Sequence, residues 1–166
     1  MENSLVESVL RVCQALNKMQ VEYMVVGGTA VAFHGYARIS TASDGSPLGK
    51  HDLDFWYKPT LENYYRLLDA FDYLEIDTKS HRESVAVPKE SYFRYEFEEF
   101  KTDFLPQIKG HSNFHTAYQR KETTSLFDVM IPILSYDDLV KSKLADPRAK
   151  DIEDIQQLRN IRGSDI

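Results

Sequence analysis

A short apolar run followed by two glycines is the feature that most constrains the fold. Four consecutive apolar residues, Tyr23–Val26, are bounded by glycines and predict a buried strand. Gly27 and Gly28 carry no Cβ, so they allow a tight turn and a close approach of the backbone to a ligand. Thr29 is a candidate N-cap for a short helix over residues 30–33. A strand, a turn and a helix N-terminus direct several N–H groups toward one point, which suits a phosphate.

Two aspartates alternate with large apolar residues downstream, in the sequence Asp52-Leu53-Asp54-Phe55. Residues two apart in a strand face the same side, so the two carboxylates are expected side by side while the apolar residues face the core. Adjacent carboxylates repel, and a divalent cation is the usual means of neutralising them. Asp103 lies among strand-forming residues farther along the chain and is expected on a neighbouring strand. The sequence therefore predicts an acidic site on one face of a sheet.

Each of these patterns also has an ordinary structural interpretation. A double glycine after a strand is usually only a turn, and an Asp-x-Asp sequence is often an exposed sheet edge. The order of the two patterns, together with the third acid, favours a functional site over either alternative.

Composition narrows the class of protein. The chain has 166 residues, of which 42% are hydrophobic and 28% charged, and this predicts a soluble globular protein with one domain over residues 1–166. A net charge of −6 argues against an extended nucleic-acid interface, but it is compatible with the binding of a single nucleotide. No apolar stretch approaches membrane-spanning length, and the N-terminus lacks a secretory signal pattern. A cytoplasmic location is expected.

The remaining pattern predicts an alternation of helices and strands. Helical spacing predicts helices over residues 4–19, 61–74, 112–120, 135–145 and 151–161, with Thr60 and Ser135 as N-terminal caps. Strand patterns cover residues 91–100, 102–108 and 126–131. The polar segment 40–50 predicts a loop above the acidic site, which is either a lid or a neutral insertion.

Four motifs follow one another along the chain: Gly27-Gly28-Thr29-Ala30, His34-Gly35, Arg38-Ile39-Ser40-Thr41 and Asp52-Leu53-Asp54. This order resembles the nucleotidyltransferase superfamily, specifically its small stand-alone members with a double-glycine start, a group that includes toxin-type and antibiotic-modifying enzymes. Residues 133–154 are similar to the family's terminal segment, in which a Leu-x-x-x-Lys helix leads into Arg-x-Lys-Asp. The resemblance implies an α+β fold with a mixed sheet flanked by helices, in a single domain.

Two departures from the family pattern concern the site. The family usually places its first aspartate two positions after the threonine, whereas Asp52 lies eleven after Thr41. The turn is Gly-Gly-Thr instead of the Gly-Ser of the polymerising members, so the phosphate contacts are expected from backbone N–H groups and the Thr29 hydroxyl.

The resemblance also implies roles for individual residues. Asp52, Asp54 and Asp103 would be the catalytic residues and the ligands of two Mg²⁺ ions, and Asp103 would act on or orient the attacking hydroxyl. Gly27, Gly28 and Thr29 would bind the β- and γ-phosphates of a nucleoside triphosphate such as ATP. Lys143, and as a second choice Lys150, would supply a cation to the triphosphate.

The expected activity is transfer of a nucleoside monophosphate from the triphosphate to an acceptor hydroxyl. The acceptor is a small molecule, or a macromolecule such as a tRNA end or a protein side chain, as for the toxins of toxin–antitoxin pairs. The alternative is a non-catalytic domain that has kept the fold and binds a nucleotide or a partner. A short chain leaves little surface for choosing an acceptor, so a second subunit or a partner such as an antitoxin is expected to complete the pocket.

Overall fold

The computed structural model describes residues 3–35, 51–145 and 149–164. Its helices are α1 Asn3–Lys18, α2 Gly27–Phe33, α3 Leu61–Tyr73, α4 Lys79–Glu83, α5 Phe114–Gln119, α6 Tyr136–Leu144 and α7 Ala149–Ser164. Its strands are β1 Tyr23–Val26, β2 His51–Tyr57, β3 Phe93–Glu96, β4 Phe100–Leu105, β5 Glu122–Leu126 and β6 Val129–Ile133. The Arg38–Thr41 motif and the predicted loop 40–50 lie outside the described residues.

The strands form one six-stranded sheet in the order β3-β4-β2-β1-β6-β5. The β2–β4 and β1–β6 pairs are parallel, and the other three pairs are antiparallel. This mixed sheet with flanking helices confirms the predicted α+β class. Within the described ranges, no helix has the length and apolar character needed to cross a membrane.

The neighbouring strands β2 and β4 alternate between a core face and a polar face around their aspartates. Leu53 and Phe55 of β2 are fully buried, and Phe55 stacks on Phe104 of β4 with ring centroids 5.1 Å apart. These two rings belong to directly paired residues in the parallel ladder. Since side chains alternate along a strand, the aspartates between them face the opposite side.

Local sequence signals account for the helix starts that follow the central strands. The side chain of Thr60 accepts a hydrogen bond from the Asn63 N–H at the start of α3. Ser135 Oγ accepts in the same way from the Asp138 N–H at the start of α6. Both predicted caps are confirmed.

Two predicted strands have the wrong bounds because each predicted segment contains a turn. Residues 91–100 hold the end of a hairpin, in which β3 and β4 pair antiparallel and the Phe97 N–H donates to the Phe100 carbonyl at 2.8 Å. Residues 126–131 contain a second hairpin turn at Phe127 and Asp128, whose φ angles are 47° and 65°. Neither turn contains glycine or proline, the strongest turn signals, and Asp128 is a weaker one, so the pattern predicts a single strand in each segment.

A buried lysine joins the last two helices. The side chain of Lys143 on α6 is only 8% exposed, and its Nζ lies 3.2 Å from Asp151 Oδ1 and 3.0 Å from Asp154 Oδ2 on α7. A desolvated charge of this kind is tolerated only with close partners, so removing the lysine takes away a buried counter-charge from both aspartates.

We expect Lys143→Met to lower the free energy of unfolding by about 3 kcal/mol, because it removes the buried ammonium group that contacts two buried carboxylates. The matched control is Lys141→Met on the exposed face of α6, which is expected to change stability by no more than about 0.5 kcal/mol. Urea unfolding followed by circular dichroism measures both. Equal stabilities of the two variants would contradict the buried ion pairs.

Candidate active site

Three carboxylates share the polar face of the neighbouring strands β2 and β4. Asp52 and Asp54 lie two apart on β2, and the parallel register places Asp54 directly opposite Asp103 of β4. Asp52 is exposed, whereas Asp54 and Asp103 are half-buried. The sequence-predicted acids are therefore neighbours, and this follows from strand alternation combined with the β2–β4 ladder.

The close contact with Asp54 requires a glycine at position 27. Gly27 has φ of 61°, a left-handed conformation that side-chain-bearing residues adopt only at a cost. A Cβ added at Gly27 would also collide with a carboxylate oxygen of Asp54 and would lie 3.0 Å from its Cγ. Gly27 thus brings the backbone at the start of α2 directly against the Asp54 carboxylate, and Gly28 follows it in the first turn.

Thr29 has a different position from the predicted one. The helix begins at Gly27 with Val26 as its N-cap residue and no side-chain cap, so the prediction that Thr29 caps the helix is wrong. Thr29 is buried, and its hydroxyl donates to the Asp52 carbonyl at 3.1 Å and accepts from the Asp54 N–H at 3.4 Å. The Gly-Gly pair lets the helix start three residues earlier than predicted, and the threonine then ties α2 to the strand that carries the acid pair. The predicted contact between its hydroxyl and a phosphate stays a prediction.

Asp103 is held by an arginine that sequence reasoning missed. Arg94 of the edge strand β3 is its cross-strand partner, with Nε 2.8 Å from Asp103 Oδ1 and one terminal nitrogen 3.4 Å from Oδ2. The guanidinium carbon also lies 5.6 Å from the centre of the Tyr92 ring. The hydrogen bond to Asp103 and the negative charge of that carboxylate raise the pKa of Arg94. Partial burial, and next the hydrogen bond with Asp103, raise the pKa of the Tyr92 phenol.

The sheet supplies a second cation to the same face. Lys101 of β4 is the register partner of Asp52, just as Arg94 is the register partner of Asp103. Alternation of charges within residues 91–101 signals a polar face, but the register that brings Arg94 to Asp103 depends on a turn that the sequence does not mark. The three carboxylates are therefore partly compensated by the protein's own side chains.

A magnesium site is compatible with the acid pair and less so with the third acid. No group of three His, Cys, Asp or Glu side chains among the described residues has the geometry to hold a metal ion. Mg²⁺ does not require such a group, since it usually binds one or two carboxylates together with substrate phosphates. Asp52 and Asp54 offer only oxygen donors on one face, so they fit Mg²⁺. Both oxygens of Asp103 face the Arg94 guanidinium instead.

Of the two candidate lysines, only Lys143 has a described side chain, and its ion pairs are with α7 and not with Asp52, Asp54 or Asp103. Lys143 is buried in its ion pairs with α7. This contact explains its position without a nucleotide and gives no support to the predicted phosphate role. Lys150 belongs to the first turn of α7, and its side chain lies outside the described part of the chain.

We expect Gly27→Ala to lower the free energy of unfolding by about 1–2 kcal/mol, because it combines a left-handed φ with a collision against Asp54. Gly28→Ala is the control, since Gly28 lies in α2 without a positive φ and alanine is the better helix former. Thermal melting of both variants measures the difference. A Gly27→Ala protein as stable as the Gly28→Ala protein would contradict the described contact.

Comparisons with known proteins give a structural likeness alone. No protein-family model and no curated protein matches the sequence. The crystal structure of the lincosamide antibiotic adenylyltransferase LnuA with lincomycin bound is similar, with a TM-score of 0.55 and 14% identity over 97% of this chain and 98% of that one. An antigenic nucleotidyltransferase-like protein from Paracoccidioides brasiliensis is similar, with a TM-score of 0.56 and 14% identity over 95% of this chain and 77% of that one.

Both likenesses run over almost the full length of the chain, and both neighbours are described as nucleotidyltransferases or as similar to them. At this low identity, such a likeness establishes the fold. The chain therefore has the nucleotidyltransferase fold that the sequence resemblance implied.

Proposed function

We propose that the protein is a metal-dependent nucleotidyltransferase that moves a nucleoside monophosphate from a nucleoside triphosphate to an acceptor hydroxyl. The observation that carries the proposal is the meeting of Asp54, Asp103 and Gly27 at one point of this fold. A backbone without a side chain approaches a carboxylate there, and a second carboxylate lies on the next strand. This is the combination that a triphosphate with its cation requires.

The acid pair binds the cation in this proposal. Asp52 and Asp54 would hold Mg²⁺ against the triphosphate, and the hydroxyl of Thr29 positions both residues by bonding to their backbone. When bound, such an ion would supply positive charge to the phosphates and to the leaving pyrophosphate. The N–H groups of the Gly27-Gly28 turn hold the terminal phosphates, and Lys150 is the preferred candidate for an additional cation.

Asp103 acts at the acceptor. The acceptor oxygen attacks the α-phosphorus in line, the bond to the bridging oxygen breaks, and pyrophosphate leaves. Asp103 orients the hydroxyl and takes its proton, with the second metal site completed by this residue as the resemblance implies. Its position directly across the ladder from Asp54 supports this division of roles.

The acceptor is left open between two classes. One structural neighbour of equal size is described as an antibiotic adenylyltransferase with its antibiotic bound, which supports a small molecule as the acceptor. A macromolecular acceptor, in the manner of a toxin with an antitoxin partner or a second subunit, remains the other possibility. The cytoplasmic location remains a prediction.

A specific observation favours a second candidate function, a domain that binds nucleotides or partners without catalysis. Arg94 forms an ion pair with Asp103 without any ligand, so the third carboxylate has a structural partner and needs no metal. In such a domain, substitution of the acids would affect stability and would leave no transfer activity to be lost.

We expect Asp54→Asn to abolish nucleotide transfer and the thermal stabilisation by Mg²⁺ with nucleotide, because it removes a metal ligand. Stability without ligand should be unchanged or slightly raised, since one charge leaves a repelling group. Asp128→Asn is the matched control, because it makes the same charge change at an exposed hairpin position whose left-handed φ suits asparagine. Melting curves with and without Mg²⁺ and ATP measure both effects. If Asp54→Asn melts well below the wild type and the wild type neither binds nor transfers nucleotide, the non-catalytic candidate is favoured.

The acceptor class is tested by following an α-labelled nucleoside triphosphate in a cell extract. The label is expected to appear on a small molecule, an RNA or a protein when the wild type is added, and on none of them with Asp54→Asn. Fractionation by size, followed by nuclease and protease treatment, assigns the class. Equal labelling by the two proteins would show that the activity is not that of this site.

A further inference from the structure

We propose that Arg94 is a positioning residue that occupies Asp103 in the metal-free protein and must release it before a divalent cation binds at that carboxylate. The inference rests on the proposed function, and it concerns a residue that neither the fold nor the resemblance assigns. Arg94 would thus set the affinity of the third carboxylate for metal.

The sheet itself brings the two side chains together. Arg94 of β3 and Asp103 of β4 are direct partners in an antiparallel ladder, and such partners have adjacent side chains on one face. Nε of the guanidinium donates to Oδ1 at 2.8 Å, and a terminal nitrogen reaches Oδ2 at 3.4 Å. The arginine therefore covers both oxygens that a metal ion would use.

The Arg94–Asp103 ion pair can open at a small cost in free energy. The Arg94 side chain is 67% exposed, whereas that of Asp103 is 21% exposed, so the arginine is the member that can turn toward solvent. Exposed pairs of this kind contribute little net free energy, because water and salt screen them. The Tyr92 ring, 5.6 Å from the guanidinium carbon, gives the arginine a surface to rest on beside the carboxylate.

The charge balance explains why an arginine is useful at this position. Asp54 and Asp103 face each other across the β2–β4 ladder, and two neighbouring carboxylates repel without a cation. Arg94 supplies that cation while the metal is absent. A divalent ion replaces the arginine, so the binding of metal at Asp103 and the departure of Arg94 are one competitive exchange.

The test measures Mn²⁺ affinity directly, using Mn²⁺ alone and the electron paramagnetic resonance signal of the free ion. We expect Arg94→Met to bind Mn²⁺ about two- to fivefold more tightly than the wild type, the range set by the strength of an exposed ion pair. Its melting temperature without metal should fall, and Mn²⁺ should raise that temperature more than it does for the wild type. Arg94→Lys, which keeps a charge but loses the two-pronged contact, should lie between the two proteins.

Two variants separate this effect from a general loss of positive charge. Arg82→Met removes an arginine from the Asp69 and Asp72 ion pairs, away from the site, and should leave Mn²⁺ affinity unchanged. The double variant Arg94→Met with Asp103→Asn should lose the gain, since the carboxylate itself is gone.

The outcomes distinguish the inference from the proposed function. Saturable Mn²⁺ binding by the wild type with no gain in Arg94→Met overturns the inference alone. The same holds if the double variant keeps the gain or if Arg82→Met reproduces it. Absence of Mn²⁺ binding in the wild type and in Arg94→Met overturns both proposals.

Discussion

The parallel pairing of β2 with β4 is the constraint on which the rest of this structure depends. Phe55 and Phe104 are partners in that ladder and stack in the core, while Asp54 and Asp103 are partners one residue earlier on the other face. Because the side-chain period of a strand is two, a slip of one residue would bury the aspartates and expose the aromatic rings. The packing of the hydrophobic core therefore determines the alignment of the carboxylates, and contacts on the polar face contribute little to the register of the two strands.

Much of the fold and the common face of the three acids could be predicted, because the signals are local. Alternation placed Asp52 and Asp54 on one face, and hydroxyl side chains marked the starts of α3 and α6. The hairpin turn at Phe127 and Asp128 was missed because it contains neither glycine nor proline, and a single aspartate among apolar residues is a weak turn signal. The arginine at Asp103 was missed for a related reason, since cross-strand register is a property of two segments together.

Lys143 shows a sequence signal that has more than one structural explanation. It lies four residues after the buried Leu139, so the helical period puts both side chains on the inward face of α6. A cation in that position needs an anion, and the start of α7 offers Asp151 and Asp154 at a spacing of three. The sequence contained the lysine and its partners, but only the packing of the two helices decides between a carboxylate and a phosphate as the counter-charge.

The long-range pairing of the sheet has a consequence for the order of folding. The β1–β6 bridge joins Val25 to Ile133, and the β2–β4 ladder joins segments separated by the whole of α3 and α4. Closing such long loops costs chain entropy before any stabilising contact has formed, so we expect parallel pairings of this kind to form late and slowly. The β3–β4 hairpin is local, so we expect Arg94 to pair with Asp103 before β2 brings Asp54 opposite them. The counter-charge is then in place before the two carboxylates meet.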